Sequence, residues 1–127
     1  MSFSDPFYTP EYFKYQLEIL DFESEDPREH VRGEQALAQK AEAGETDAML
    51  VLGRHYLRGR YRDAYAGLQW YLKAMRRGDA EGWGMLQRFY AHPDDTDMEE
   101  ALRRMEAEGH TMDNLKKMWQ SLRSSDG

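Results

Sequence analysis

Residues 44–56, GETDAMLVLGRHY, lie over residues 78–90, GDAEGWGMLQRFY, without a gap, and this pairing decides how the chain is read. Gly44 falls on Gly78, Met49 on Trp83, Leu52 on Leu86 and Tyr56 on Tyr90, at one constant offset. A looser third copy, MEEALRRMEAEGHTMDNLKKMWQSL at 98–122, fits when shifted by one or two positions. It puts Gly109 in the role of Gly78, with Leu115, Met118 and Leu122 in the apolar roles. A repeat of about 34 residues made of two helices is the mark of an αα-hairpin solenoid.

Working outward, helix start and stop signals recur along the whole chain. Thr9, Pro10 and Glu11 predict one start, and Asp26, Pro27 and Glu29 a second helix that Gly44 ends in the left-handed conformation. Thr46 and Asp47 open a third that Gly59 closes. Arg62 or Asp63 opens a fourth that Gly78 closes, and Asp79 caps a fifth running to Tyr90 or Ala91, with Pro93 blocking continuation. Thr96 with Glu99 reads as a capping box for a sixth helix ending at Gly109, and Thr111 begins a seventh that fades into the polar tail SSDG. No segment alternates polar and apolar residues long enough for a strand, so the expected class is all-α.

The helix at about 62–77 shows why neighbours are needed on two sides. Tyr61, Tyr65, Leu68, Leu72 and Met75 form one apolar stripe, and Gly67, Trp70 and Ala74 another. In a solenoid one face packs within the repeat and the other against the next, so Trp70 and Tyr71 are assigned to different contacts.

LGRHYLRGRYRDAYAGLQWYLKAMRRGDAEG, residues 52–82, resembles the Sel-one-like repeat, a relative of the tetratricopeptide repeat. The matching positions are Leu52, Gly53, Tyr56, Gly59, Asp63, Ala66, Trp70, Tyr71, Lys73, Ala74, Gly78, Asp79 and Ala80. Three features depart from the family pattern: the turn RGRYRD is about one residue short, Gly67 stands where an alanine is usual, and Gln87 stands where the second copy should have Gly. The resemblance implies a right-handed solenoid of two to three repeats in one domain. Residues 34–92 are the well-matched repeats, 96–122 a degenerate C-terminal repeat and 1–33 an N-terminal capping segment. It also implies a non-catalytic scaffold for other proteins, with the first helix of each repeat lining a concave groove. Arg54, His55 and Arg58 on the third helix, with Arg88 at the Arg54 position of the next repeat, are then candidates for a basic binding face, and Arg60 and Arg62 in the turn are second choices.

The 127 residues fit one domain, and the 40% hydrophobic content with eight Tyr, eight Met, five Phe and three Trp excludes a disordered chain. The absence of Cys removes disulfides, thiolate metal sites and cysteine nucleophiles, and favours the cytoplasm. MSFSDPFYTPEYFKYQLEIL reads as neither a secretory signal nor a membrane span. The net charge of −7 is uneven: residues 54–88 carry +5, while 1–33, 34–53 and 89–127 carry −5, −3 and −4. An acidic chain with a basic middle suits a charge-complementary protein better than nucleic acid.

No catalytic constellation stands out. His30, His55, His92 and His110 have no histidine one helical turn away and no Cys to complete a metal site, and no phosphate loop or nucleophile motif occurs, so neither metal nor cofactor is expected. HPDDTDMEE lacks the glycine and acid spacing of a calcium loop and reads as a solvated turn. The first expectation is therefore a small bacterial-type cytoplasmic adaptor, or an immunity-type inhibitor occluding a partner such as a toxin. Its acidic contacts would be Glu23, Glu25 and Asp26 at one end and Asp94, Asp95 and Asp97 at the other. An enzyme using His55 with a carboxylate from a neighbouring helix, or a small-molecule binder, is the alternative. Nucleic-acid binding or mimicry is a third and weaker one.

Overall fold

The computed structural model describes residues 13–124. Among them it shows seven helices and no strand: α1 (Gln16–Phe22), α2 (Pro27–Glu42), α3 (Thr46–Arg58), α4 (Ala64–Arg76), α5 (Ala80–Ala91), α6 (Thr96–Ala107) and α7 (Met112–Ser124). The start expected at Thr9 and Pro10 and the end of the polar tail lie outside the described residues. The chain divides into two compact units, Met1–Arg62 and Asp63–Gly127. The division falls in the turn between α3 and α4, inside the stretch 52–82 that carries the sequence resemblance.

In the first unit α2 packs against both α1 and α3. Asp26 caps α2 by accepting from Arg28 N at 2.9 Å, with Pro27 in the first turn where its missing N–H costs nothing. Tyr15, Ile19 and Phe22 turn one side of α1 inward, and Gly33 lets the two helices close up. A Cβ on Gly33 would sit 2.4 Å from Phe22 N and 2.6 Å from Glu18 O. Ion pairs flank that seam, Arg32 Nε to Asp21 Oδ2 at 2.9 Å and Lys40 Nζ to Glu18 Oε1 at 2.7 Å. The Tyr15 hydroxyl donates to Glu45 Oε1 at 2.6 Å, tying the start of α1 to the residue before α3. Burial and that carboxylate push the Tyr15 pKa up.

In the second unit α4 packs against α5, α6 and α7, and α5 against α7. Leu68, Tyr71, Leu72, Ala74 and Met75 of α4 are buried, with Leu86 and Phe89 of α5 and Met98, Leu102 and Met105 of α6. Trp83 stacks on Trp119 at 5.8 Å, Tyr65 donates to Glu108 at 2.6 Å, and the Arg104 guanidinium lies 3.7 Å from the Tyr65 ring centroid. Tyr71 is fully inside. Trp70 differs from the core position assigned to its stripe, being half-buried with the Lys73 ammonium 4.2 Å from its ring centroid.

The helix ends follow one pattern. Gly44, Gly78 and Gly109 have φ of 102°, 86° and 94°, and after each the next N–H returns to a carbonyl of the last helical turn: Glu45 to Lys40, Asp79 to Ala74, His110 to Met105. Asp63, Asp79 and Asp95 then accept from the backbone N–H of Ala66, Gly82 and Met98, at 3.1, 2.9 and 3.0 Å, and Thr111 does the same for Asn114 at 3.2 Å. These caps are evenly spaced along the second unit. Thr96 is the first residue of α6 rather than its cap, because the Asp95 carboxylate, on extended backbone, takes the Met98 N–H.

The register also carries through in burial. Leu52 and Leu86 are both 0% exposed, and Ala48 and Gly82 are both buried.

Gly33→Ala is expected to destabilise by about 1–3 kcal/mol, because the new methyl meets backbone on α1. Gly84→Ala, an exposed helical position with nothing within 4 Å of a Cβ, should stabilise by about 0.5–1 kcal/mol. Urea midpoints of the two variants check both signs.

Candidate functional site

Polar chemistry in the first unit converges where α1 ends. Phe22 closes α1 and is 0% exposed, leaving Glu23 at the rim of the apolar interior. The last turn of α3 brings His55 to it, and Gly59 lets the chain fold back so closely that a Cβ there would lie 1.9 Å from Glu23 Oε2. The Glu23 carboxylate takes two contacts, His55 Nδ1 at 2.7 Å and the Arg60 backbone N–H at 2.7 Å, while Arg60 Nε donates to the Glu23 carbonyl at 3.0 Å. Burial of this carboxylate would raise its pKa. The His55 hydrogen bond, the Arg60 N–H and the charges of both residues outweigh that and hold it below the ordinary carboxylate range.

A second histidine also meets the Phe22 ring. His30 makes an edge contact with Phe22 at 4.7 Å and stacks on Tyr61 at 3.6 Å, with its Nδ1 2.7 Å from the Phe22 carbonyl. Tyr61 donates to the Ser24 carbonyl at 2.6 Å, and Tyr56 donates to Glu34. Together these contacts tie the end of α1 and the loop after it to α2 and to the end of α3.

His55 and Glu23, expected on two separate binding surfaces, are therefore brought together inside one unit. His55 is 4% exposed and occupies the register of Phe89, which is 1% exposed, so the position is an interior one in both copies. The constant offset between the copies carries that equivalence in the sequence. The pairing that the catalytic alternative requires, His55 with a carboxylate from a neighbouring segment, is present. A general base must also reach a proton on its substrate, and the exposed share of this pair is on Glu23, whose side chain is 26% exposed against 5% for His55.

The remaining candidates are spread out. Arg54 is half-buried and Arg58 exposed on α3, whereas Arg88 is exposed on α5 in the other unit. Arg60 Nη1 lies 3.6 Å from Glu25 Oε1, Asp26 is engaged as the α2 cap, and Arg62 Nε donates to the Leu57 carbonyl at 3.0 Å. Asp94, Asp95 and Asp97 are exposed around the start of α6, together with Glu99 and Glu100. Among the described residues no three His, Asp or Glu side chains gather as metal ligands, and no helix is long and apolar enough to cross a membrane. A cleft of about 350 Å³ in the second unit is lined by Gly78, Ala80, Trp119, Leu122 and Arg123. One feature absent from the sequence-based candidates is a group of exposed apolar side chains on α1 and just before it: Leu17 and Leu20 are 76% and 56% exposed, and Phe13 is 51% exposed. Its signal is the spacing i, i+4, i+7 running beside the buried Tyr15, Ile19 and Phe22.

Because folding lowers the Glu23 pKa, its contribution is present above the ordinary carboxylate range and lost as pH falls through the lowered value. Glu23→Gln should therefore flatten part of the acid limb of a stability–pH curve measured by urea denaturation from neutral pH downward. His55→Ala leaves the carboxylate short of one donor and should cost about 2 kcal/mol at neutral pH.

No family model, no curated protein and no solved structure matches this chain.

Proposed function

We propose that this chain is a non-catalytic protein–protein interaction module of the Sel-one-like repeat kind, a small cytoplasmic adaptor or immunity-type inhibitor that covers the working surface of a partner such as a toxin. Repeat architecture is supported by three features. They are the left-handed glycine turns, the matched burial of equivalent positions in the two copies, and the packing of α4 on α6 and of α5 on α7, next-but-one contacts of the kind stacked hairpins make. The observation that carries the binding reading is the run of exposed carboxylates at Asp94, Asp95, Asp97, Glu99 and Glu100, on the first turns of α6 and the loop before it. Such a surface attracts a basic partner and speeds its docking. The most enzyme-like pair, Glu23 with His55, is by contrast engaged in holding the end of α1 to α3.

The test is a quantitative pull-down with the tagged chain from lysate of its source organism at low and moderate salt. One dominant, near-stoichiometric basic protein is expected, and Asp94→Lys with Glu100→Lys, which spare the Asp95 cap, should release it at lower salt. A captured acidic protein would shift the contact to a basic side chain such as Arg58 of the first unit or Arg88 of the second. An empty pull-down would overturn the reading, and an activity lost in a folded His55→Ala variant would replace it with the catalytic one.

A further inference from the structure

The cleft of about 350 Å³ in the second unit has two unlike sides. One is the junction of α4 and α5, where Gly78 and Ala80 line it; the other is the last two turns of α7, which supply Trp119, Leu122 and Arg123. The junction carries almost no side chain. Gly78 sits at a φ of 86° with nothing within 4 Å of where a Cβ would stand, and Ala80 adds one methyl. The α7 side is a half-buried indole and a half-buried leucine, ending in a guanidinium. Trp119 is itself fixed by Trp83, which is 9% exposed and lies 5.8 Å away with 20° between the ring planes. The volume is at the small end of the range for pockets that take small molecules.

The charge around this cleft runs against the net charge of −7 of the chain. The Arg123 guanidinium lies 5.9 Å from the Trp119 ring centroid, Arg76 and Arg77 lead directly into Gly78, and Lys116 stands one helical turn before Trp119 on α7. All four are exposed, and among the described residues none of them pairs with a carboxylate. In the first unit, by contrast, Arg32, Lys40 and Arg60 each have one. The acids next to the cleft in sequence are already committed. Asp79 caps α5 by accepting from the Gly82 N–H at 2.9 Å, and Glu81 is engaged as well.

We infer that this cleft binds a small aromatic carboxylate of one or two rings, with its ring against Trp119 and Leu122 and its carboxylate on Arg123. The ring follows from the walls: an indole and a leucine facing a junction that is nearly bare backbone favour a flat apolar body, and aromatic rings add offset or edge contacts to an indole. The carboxylate follows from Arg123, a guanidinium in the cleft that no carboxylate of the described residues meets and whose planar fork matches that group. This site is distinct from the carboxylate run at the start of α6, so it goes beyond the proposed protein contact and does not rest on it.

The test is a titration of the nitrogen-labelled full chain with naphthoate, followed through its N–H resonances. Saturable shifts are expected at the Gly78 and Ala80 amides and at the Trp119 indole N–H, while the Gly33 amide of the first unit stays unmoved. Arg123→Gln changes an exposed side chain, so its thermal melt should be unaltered while naphthoate binds about five- to tenfold more weakly. Naphthylmethanol keeps the ring without the charge, cyclohexanecarboxylate keeps the charge without the aromatic ring, and both should bind more weakly than naphthoate. Absence of saturable shifts at these three positions overturns the proposal, and so does unchanged naphthoate binding by the folded Arg123→Gln variant. Equal binding of cyclohexanecarboxylate overturns the aromatic class.

Discussion

Short helices are marginal alone, and those described here run from 7 to 16 residues, so the fold depends on how their ends are satisfied. Each end leaves backbone N–H or C=O groups without an intrahelical partner, and the chain answers with a fixed sequence of moves. A glycine at positive φ reverses the backbone after α2, α4 and α6, a returning N–H closes the last turn, and after α4 an aspartate immediately opens the next helix. In the second unit the caps Asp63, Asp79, Asp95 and Thr111 recur at one regular interval, and two such intervals make a hairpin. That hairpin, Asp63 to Asp95, is slightly shorter than the step from Gly44 to Gly78 that relates α3 to α5.

Most of this is legible in sequence, because glycine, aspartate and proline act through their own stereochemistry. Asp26–Pro27, Gly44, Gly59, Asp63, Gly78, Asp79 and Gly109 stand where local signals put them. Thr96 misleads for a local reason: two possible caps adjoin, and the carboxylate of Asp95 supplies the acceptor. His55 misleads for a non-local one. Its burial is set by Phe22 and Glu23, far earlier in the chain, and only Phe89, which the sequence pairing of residues 44–56 with 78–90 lays on His55, hints at it.

Glu23 shows how a polar group becomes structural. A half-buried carboxylate is tolerated only if its lone pairs are met, and here a histidine from one helix and a backbone N–H from the following turn meet them together. The same atoms fix where α3 stops. Gly59 must lack a side chain because Glu23 occupies that space, so the end of α3 is set by a residue in the loop after α1.

The stacked pair of Trp83 and Trp119 has an optical consequence. Trp70, Trp83 and Trp119, the three tryptophans of the chain, all belong to the second unit. Indole emission and the near-ultraviolet dichroism of two rings 5.8 Å apart therefore register the second unit alone, while total helicity registers both. If the units unfold at different temperatures, the two signals will separate without any label being added.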